Sequence, residues 1–183
     1  DVAGLGRYRG GCGLTDCFVI HGTEGLTYNS VGTGSRFTKN YGLFGGYSGA
    51  AQPRIAILNS DVKERMAAGA SNLPMSVREL ANDHVIDGEY VFGHPNCEGE
   101  RCQDGDVFVL ARGSGGGYGD VLEREPEAVL ADVLDGVTSE ETGARIYGVI
   151  LSSDAQRVDG PATDTRRAEI RDERRERGLP FAE

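Results

Sequence analysis

Short apolar runs with strand-like alternation fill the first half of the chain, and a helical period takes over in the second. "CFVIHG" (17–22) and "LTYNSVG" (26–32) are rich in β-branched and aromatic residues. They flank "GTEG", which predicts two strands joined as a hairpin. "PRIAILNS" (53–60) reads as a strand, and "DVKERMAAGA" (61–70) as one or two helical turns before its glycine and alanine tail. "VIDGEYVFG" (85–93) and "GDVFVLARG" (105–113) are again strand-like, with a polar insert between them. Beyond residue 113 the pattern changes. In "EPEAVLADVLDG" (125–136) the apolar residues Val129, Leu130, Val133 and Leu134 share one face, with proline early and Gly136 just past the end. "TSEETGARIYG" (138–148) opens on Thr138 three residues before Glu141, a capping box. "VILSS" reads as a closing strand, and "PATDTRRAEIRDERRERG" (161–178) as a polar helix or tail in which Ile170 is nearly the only apolar residue, so that it packs on something or stays solvated.

These patterns predict an α+β fold. A glycine-rich antiparallel β part over residues 1–112, barrel or sandwich, is followed over residues 113–183 by a glycine turn, two or three helices and a charged C-terminal arm. At 183 residues with 38% hydrophobic content the chain can bury a core, and the two parts are expected to form one domain. The formal charge of −10 argues against a nucleic-acid partner, because counterion release rewards a basic face. Of the 19 basic residues, 17 are arginine, but those in the C-terminal arm are interleaved with acids and read as a solvated face. No run of 18 apolar residues exists, so no membrane helix is expected. No leader is visible at the start, and a cytoplasmic protein is expected. The chain opens directly on a glycine-rich element, as expected of a fragment or of a subunit whose earlier part lies on another polypeptide.

Two features invite chemistry. Cys12, Cys17, Cys97 and Cys102 form two C-x4-C pairs 80 residues apart, in glycine- or proline-bearing polar surroundings. Two short loops giving two thiolates each suit a closed tetrahedral zinc site, so a structural four-cysteine zinc clamp is expected, with His94 as an alternative ligand. Free or partly buried thiols are the competing reading, and disulfides are disfavoured in a reducing compartment. The second feature is "GSGGGYGD" (113–120), with five glycines in seven positions. Glycine loops that open helices often hold phosphate, but here no lysine follows the last glycine, and Asp120 and Glu123 repel phosphate. A tight turn is the preferred reading, with Ser114 and the loop N–H groups left to contact a partner or small anion. "YGLFGGYSGA" (41–50) has the same glycine–aromatic texture, which lets backbone approach something closely or bend sharply. His21, His84 and His94 have no metal spacing, and the local cluster Asp83, His84 and Asp87 defines no base. No catalytic residue is assigned.

In their order, "GLGRYRGGCG" (4–13), "GDVFVLARGSGGGYGDVLEREPEAVLADVLDG" (105–136) and "TSEETGARIYGVIL" (138–151) resemble the C-terminal third of the hydantoinase B family. That family comprises the B subunits of ATP-dependent hydantoinases, 5-oxoprolinase and related carboxylases. The tail "DTRRAEIRDERRERGLPFAE" is more similar to acetone and acetophenone carboxylase subunits than to hydrolytic members. The resemblance implies a small or C-terminal subunit, mainly structural, of a multisubunit ATP-dependent and biotin-independent ketone carboxylase. ATP and Mg would sit on a hydantoinase A-type partner, beside a B-type partner, in a hetero-oligomer. The family's metal-binding residues lie in its N-terminal part, so none is carried onto this chain. Full B-type subunits are several times longer, and the paired cysteines are not a general mark of the family. The alternatives are part of an ATP-dependent hydantoinase or oxoprolinase acting on cyclic amides, and a non-catalytic zinc-stabilised interaction module.

Overall fold

A computed structural model describes residues 3–178 apart from 24, 33, 35, 36, 75, 78 and 95. The fold is α+β with antiparallel sheets and a few helices. It divides into two compact units that interleave along the chain: residues 1–12, 40–50 and 114–183 form one, and 13–39 with 51–113 the other.

The second unit is built on a four-stranded sheet in the order β1-β6-β3-β4, where β1 is Leu14–Val19, β3 Arg54–Leu58, β4 Glu89–Gly93 and β6 Val107–Arg112. Strands β3 and β6 are nearly continuous apolar runs because both of their faces are buried. Their register sets Ile55 opposite Val109, Ala56 opposite Phe108 and Ile57 opposite Val107. Successive side chains alternate between faces, so Ile55, Ile57, Val107 and Val109 join one core with Val62, Leu80 and Ile86. The first of those three comes from the short helix α1 (Val62–Ala67) and the second from a π-helical turn at Glu79–Asp83. Ala56 and Phe108 point the other way, into a core with Ile20 and Cys102.

That second face is covered by a two-stranded sheet of β2 (Leu26–Ser30) and β5 (Cys97–Cys102). Tyr28 stacks on Phe108 with ring centroids 4.8 Å apart. The buried Arg54 of β3 clasps Glu100 of β5 with two nitrogens, one of them 2.8 Å from Oε1. The expected hairpin between 17–22 and 26–32 does not form, because β1 pairs with β6 and β2 with β5. The polar insert supplies the strand that sequence patterning passes over. "CEGERC" lies on a partly exposed ribbon, so it has no apolar run, and Gly99 (φ +66°) sits where its register with β2 shifts.

In the first unit, helix α2 (Pro126–Leu134) begins on its proline and is followed by Gly136 in the left-handed region (φ +70°), as expected. Helix α3 (Glu140–Thr142) runs on into a π-helical turn, Gly143–Tyr147. Its cap is Ser139, not Thr138: the Ser139 hydroxyl accepts from the Thr142 N–H at 3.1 Å, while Thr138 is buried. The expected closing strand reduces to a single bridge, Leu151 to Val158. Helix α4 (Gly160–Arg177) is capped by Asp159, and Ile170 anchors it in a core with Val121, Leu122, Val129, Tyr147 and Val149.

Candidate functional site

The glycine segment 114–120 lies between two others, residues 3–12 and 40–50, and the three are held together by their backbones. Gly4 N donates to Gly115 O at 2.9 Å and Gly115 N to Gly11 O at 3.0 Å; Tyr8 and Tyr118 exchange hydrogen bonds at 2.9 Å. On the other side, Gly117 N donates to Tyr47 O, Gly119 N to Leu43 O, and Leu43 N to Gly117 O, at 2.9, 2.9 and 3.0 Å. No side chain fits between segments this close. A Cβ at Gly117 would stand 1.9 Å from the Leu5 carbonyl oxygen, and one at Gly116 2.1 Å from that of Tyr41. The physical rule is that of the collagen axis, where only glycine lets three chains approach so closely.

This arrangement decides the phosphate question raised by the sequence. The N–H groups of Gly115, Gly117, Tyr118 and Gly119 are spent on neighbouring carbonyls. Ser114 is fully buried: its hydroxyl accepts from Ala50 N at 2.7 Å, and its carbonyl accepts from the Asn40 amide at 2.6 Å. Asp120 caps the helical turn Val121–Glu123 by accepting from Leu122 N at 2.9 Å, and both its oxygens lie 2.9 Å from an Arg174 nitrogen on α4. Burial works against its charge, but the Leu122 N–H and Arg174 outweigh that and hold the carboxyl below its usual range.

Below the bundle sits a charged core. Asp132 of α2 is buried and accepts from Arg9 Nε at 2.9 Å and from Arg124 Nη2 at 2.6 Å. Arg124 also donates to the Arg7 carbonyl and lies 5.9 Å from the ring centre of the buried Tyr147. Arg167 of α4 donates to the carbonyls of Tyr147 and Arg124 at 3.1 and 2.6 Å. Burial pushes the Tyr147 phenol up and the Arg167 guanidinium down, while the Asp132 hydrogen bond raises Arg9. Asp132 thus ties the first glycine segment to the helices. Its residues gave no spacing signal beforehand; the one hint was an acid placed inside the apolar register of α2.

The four cysteines are not brought into a metal site. Cys12 belongs to the first unit and the other three to the second. Cys17 lies on β1, and Cys97 and Cys102 stand at opposite ends of β5, paired with Ser30 and Leu26. Four residues along β2 separate those partners, about 13 Å, whereas two thiolates on one zinc lie within about 4.6 Å of each other. Cys102 is 2% exposed in the core, and burial pushes its thiol up. Among the described residues no group of three or more His, Cys, Asp or Glu is placed to hold a metal ion. The expected clamp is therefore not shown, and the residues do not fit it. His94 is engaged locally, its ring accepting from Asn96 N. His84 stacks on Tyr90 at 4.1 Å, and Asp87 pairs with Arg65. No helix among the described residues is long and apolar enough to cross a membrane.

Comparison with known proteins follows the same lines. The hydantoinase B/oxoprolinase family profile matches residues 1–121. The acetophenone carboxylase delta subunit of Aromatoleum aromaticum is 36% identical over 99% of this chain and 27% of its own length. The acetone carboxylase alpha subunit of Xanthobacter autotrophicus is 30% identical over 98% of this chain and 24% of its own. A solved nucleotide-free structure of acetone carboxylase superposes with a TM-score of 0.85 at 30% identity, over 98% of this chain and 24% of that one. The chain spans about a quarter of the length of these relatives.

Proposed function

This chain belongs to the hydantoinase B/oxoprolinase family, and we propose that it is a small or C-terminal subunit of a multisubunit ATP-dependent, biotin-independent ketone carboxylase. The observation that carries this reading is a match running through nearly the whole chain to subunits of two carboxylases named for ketones, acetophenone and acetone. The fold likeness to acetone carboxylase supports it. The chain's role in the assembly is structural. Its most elaborate polar cluster, Arg9–Asp132–Arg124, centres on the buried Asp132 and ties the first glycine segment to the helices. ATP and Mg are assigned to a hydantoinase A-type partner, and the rest of the scaffold to a B-type partner. The reaction joins bicarbonate to a ketone, with the activating phosphorylation carried out elsewhere in the assembly.

The test is to purify the assembly through a tag on this chain and identify its subunits. It is then assayed with acetone or acetophenone, ATP and labelled bicarbonate, and in parallel with hydantoin and 5-oxoproline. Label should enter acid-stable product only when ketone and ATP are both present. Hydrolysis of a cyclic amide without any need for bicarbonate would place the chain with the hydrolytic members instead. ATP hydrolysis by the isolated chain would remove the structural role.

A further inference from the structure

The sheet unit holds a cavity of about 600 Å³ at the end of its ribbon where β2 begins and β5 finishes, within the size range of small-molecule sites. Its lining comes from residues 23 and 25–27 on one strand's approach and from residues 101–104 on the other's exit. Thr27 stands directly opposite Arg101 in the register, so both side chains leave the same face of the ribbon. The other face carries Tyr28 and Glu100, which are turned to Phe108 and Arg54. Alternation along β5 therefore takes the Glu100 carboxylate away from Arg101.

Three polar side chains of this cavity are uncommitted. Among the described residues, the Arg101 guanidinium, the Thr27 hydroxyl and the Gln103 amide have no hydrogen-bond or ion-pair partner. The carboxylate in the lining, that of Asp104, is taken up by its neighbours. It accepts from Lys63 and, at 2.7 Å, from Gly22 N, and these two hold it below the usual carboxylate range. With Lys63 and Asp104 cancelling, Arg101 leaves the cavity net positive on a chain whose formal charge is −10. A guanidinium is a rigid fork of donors that matches the paired oxygens of a carboxylate or phosphate, and the hydroxyl and amide add donors beside it. Leu26, 45% exposed, supplies an apolar wall, and the volume is far more than an inorganic ion fills.

We propose that this cavity binds a small organic anion, a carboxylate or phosphate ester, whose oxygens meet Arg101, Thr27 and Gln103 while its apolar body lies against Leu26. The site stands independently of the proposed function, because it belongs to the sheet unit of this chain alone. A cationic ligand is disfavoured: the one acid in the described lining is already paired, and the guanidinium repels it.

The experiment is arginine footprinting of the full chain with phenylglyoxal, read residue by residue by peptide mass spectrometry. Arg145, exposed and without a partner among the described residues, is the reference position. The probes are benzoate and phenyl phosphate, which share a ring and differ in headgroup, with benzylamine as the cation of the same shape. A site of about 1 mM affinity is about 90% filled at about 10 mM probe, so modification of Arg101 should slow about tenfold while Arg145 is unaffected. Protection by one anion and not the other keeps the site and assigns its headgroup. Equal slowing at Arg145, equal protection by benzylamine or by sodium chloride of the same ionic strength, or no protection at all, overturns the inference. Thr27→Val keeps the β-branched shape and removes the hydroxyl. It should leave the reactivity of unliganded Arg101 unchanged and raise the half-protecting concentration about tenfold, whereas unchanged protection would mean a lone surface charge and contradict the site. Glu24 lies outside the described residues, so Glu24→Gln is run in parallel, and protection that needs this substitution also overturns the inference.

Discussion

The sheet unit and the glycine bundle of the other unit solve the problem of a core in opposite ways. In the sheet unit, side chains fill the interior: Ile55, Ile57, Val107 and Val109 on one face of the central strands, Ala56 and Phe108 on the other. In the glycine unit, backbone meets backbone at the centre of the bundle, and side chains are pushed outward, where Tyr8, Phe44 and Tyr118 stand exposed. A side-chain core tolerates small losses of volume because neighbours relax. A backbone core tolerates no gain of even one carbon, because hydrogen-bonded main chains have nowhere to go.

The largest test of that contrast is a single methyl group. Gly117→Ala, with its Cβ 1.9 Å from Leu5 O, should destabilise the chain by about 4 kcal/mol or more and abolish soluble expression. Gly11→Ala, in the same bundle but with open space around it, serves as the matched control. Ile57→Val, at a fully buried sheet position, should cost only about 1 kcal/mol by denaturant titration. Equal effects of Gly117→Ala and Ile57→Val would break the comparison. Next in size is Asp132→Ala, which strands Arg9 and Arg124 beside a cavity and should cost about 3–5 kcal/mol.

Asp120→Ala is smaller, about 1 kcal/mol, because the capping bond matters more than a half-exposed ion pair. Its pH dependence has a fixed sign. The folded carboxyl is held below its unfolded value of about 3.9, so its contribution is complete above that value and is lost as pH falls through the lower folded one. Melting curves of Asp120→Ala and the parent should therefore converge below about pH 4 and differ at pH 7. The smallest effect is expected from EDTA: with Cys97 and Cys102 at opposite ends of β5, chelation should leave the melting temperature unchanged, and a fall of several degrees would restore the zinc clamp.

Much of the side-chain core was legible, and much of the backbone core was not. Strands β3 and β6 and helix α2 announce themselves through apolar runs, an early proline and Gly136, while the charged pattern of α4 fits a helix or a tail equally. Strand β5 escapes because a partly exposed ribbon needs no apolar pattern. The hairpin expected around "GTEG" failed because neighbours in sequence joined different sheets, and local turn chemistry does not encode which strand pairs with which. The C-x4-C spacing suggested loops, yet one pair spans the length of a strand, and spacing alone does not distinguish the two. The glycines at 42, 45, 46 and 49 fit close backbone approach or a sharp bend, and the first is what they provide. What they approach was hidden, because backbone hydrogen bonds between distant segments leave no periodicity in the residues that make them.

The measurement that bears most directly on the bundle is amide hydrogen exchange at Gly115, Gly117, Tyr118 and Gly119. If these N–H groups are locked onto the carbonyls of Gly11, Tyr47, Tyr8 and Leu43, they should be as protected as Ile57 in the central strand and exchange only when their unit unfolds. Exchange within seconds, accelerating no further on unfolding, would mean an open glycine loop and would contradict the backbone core.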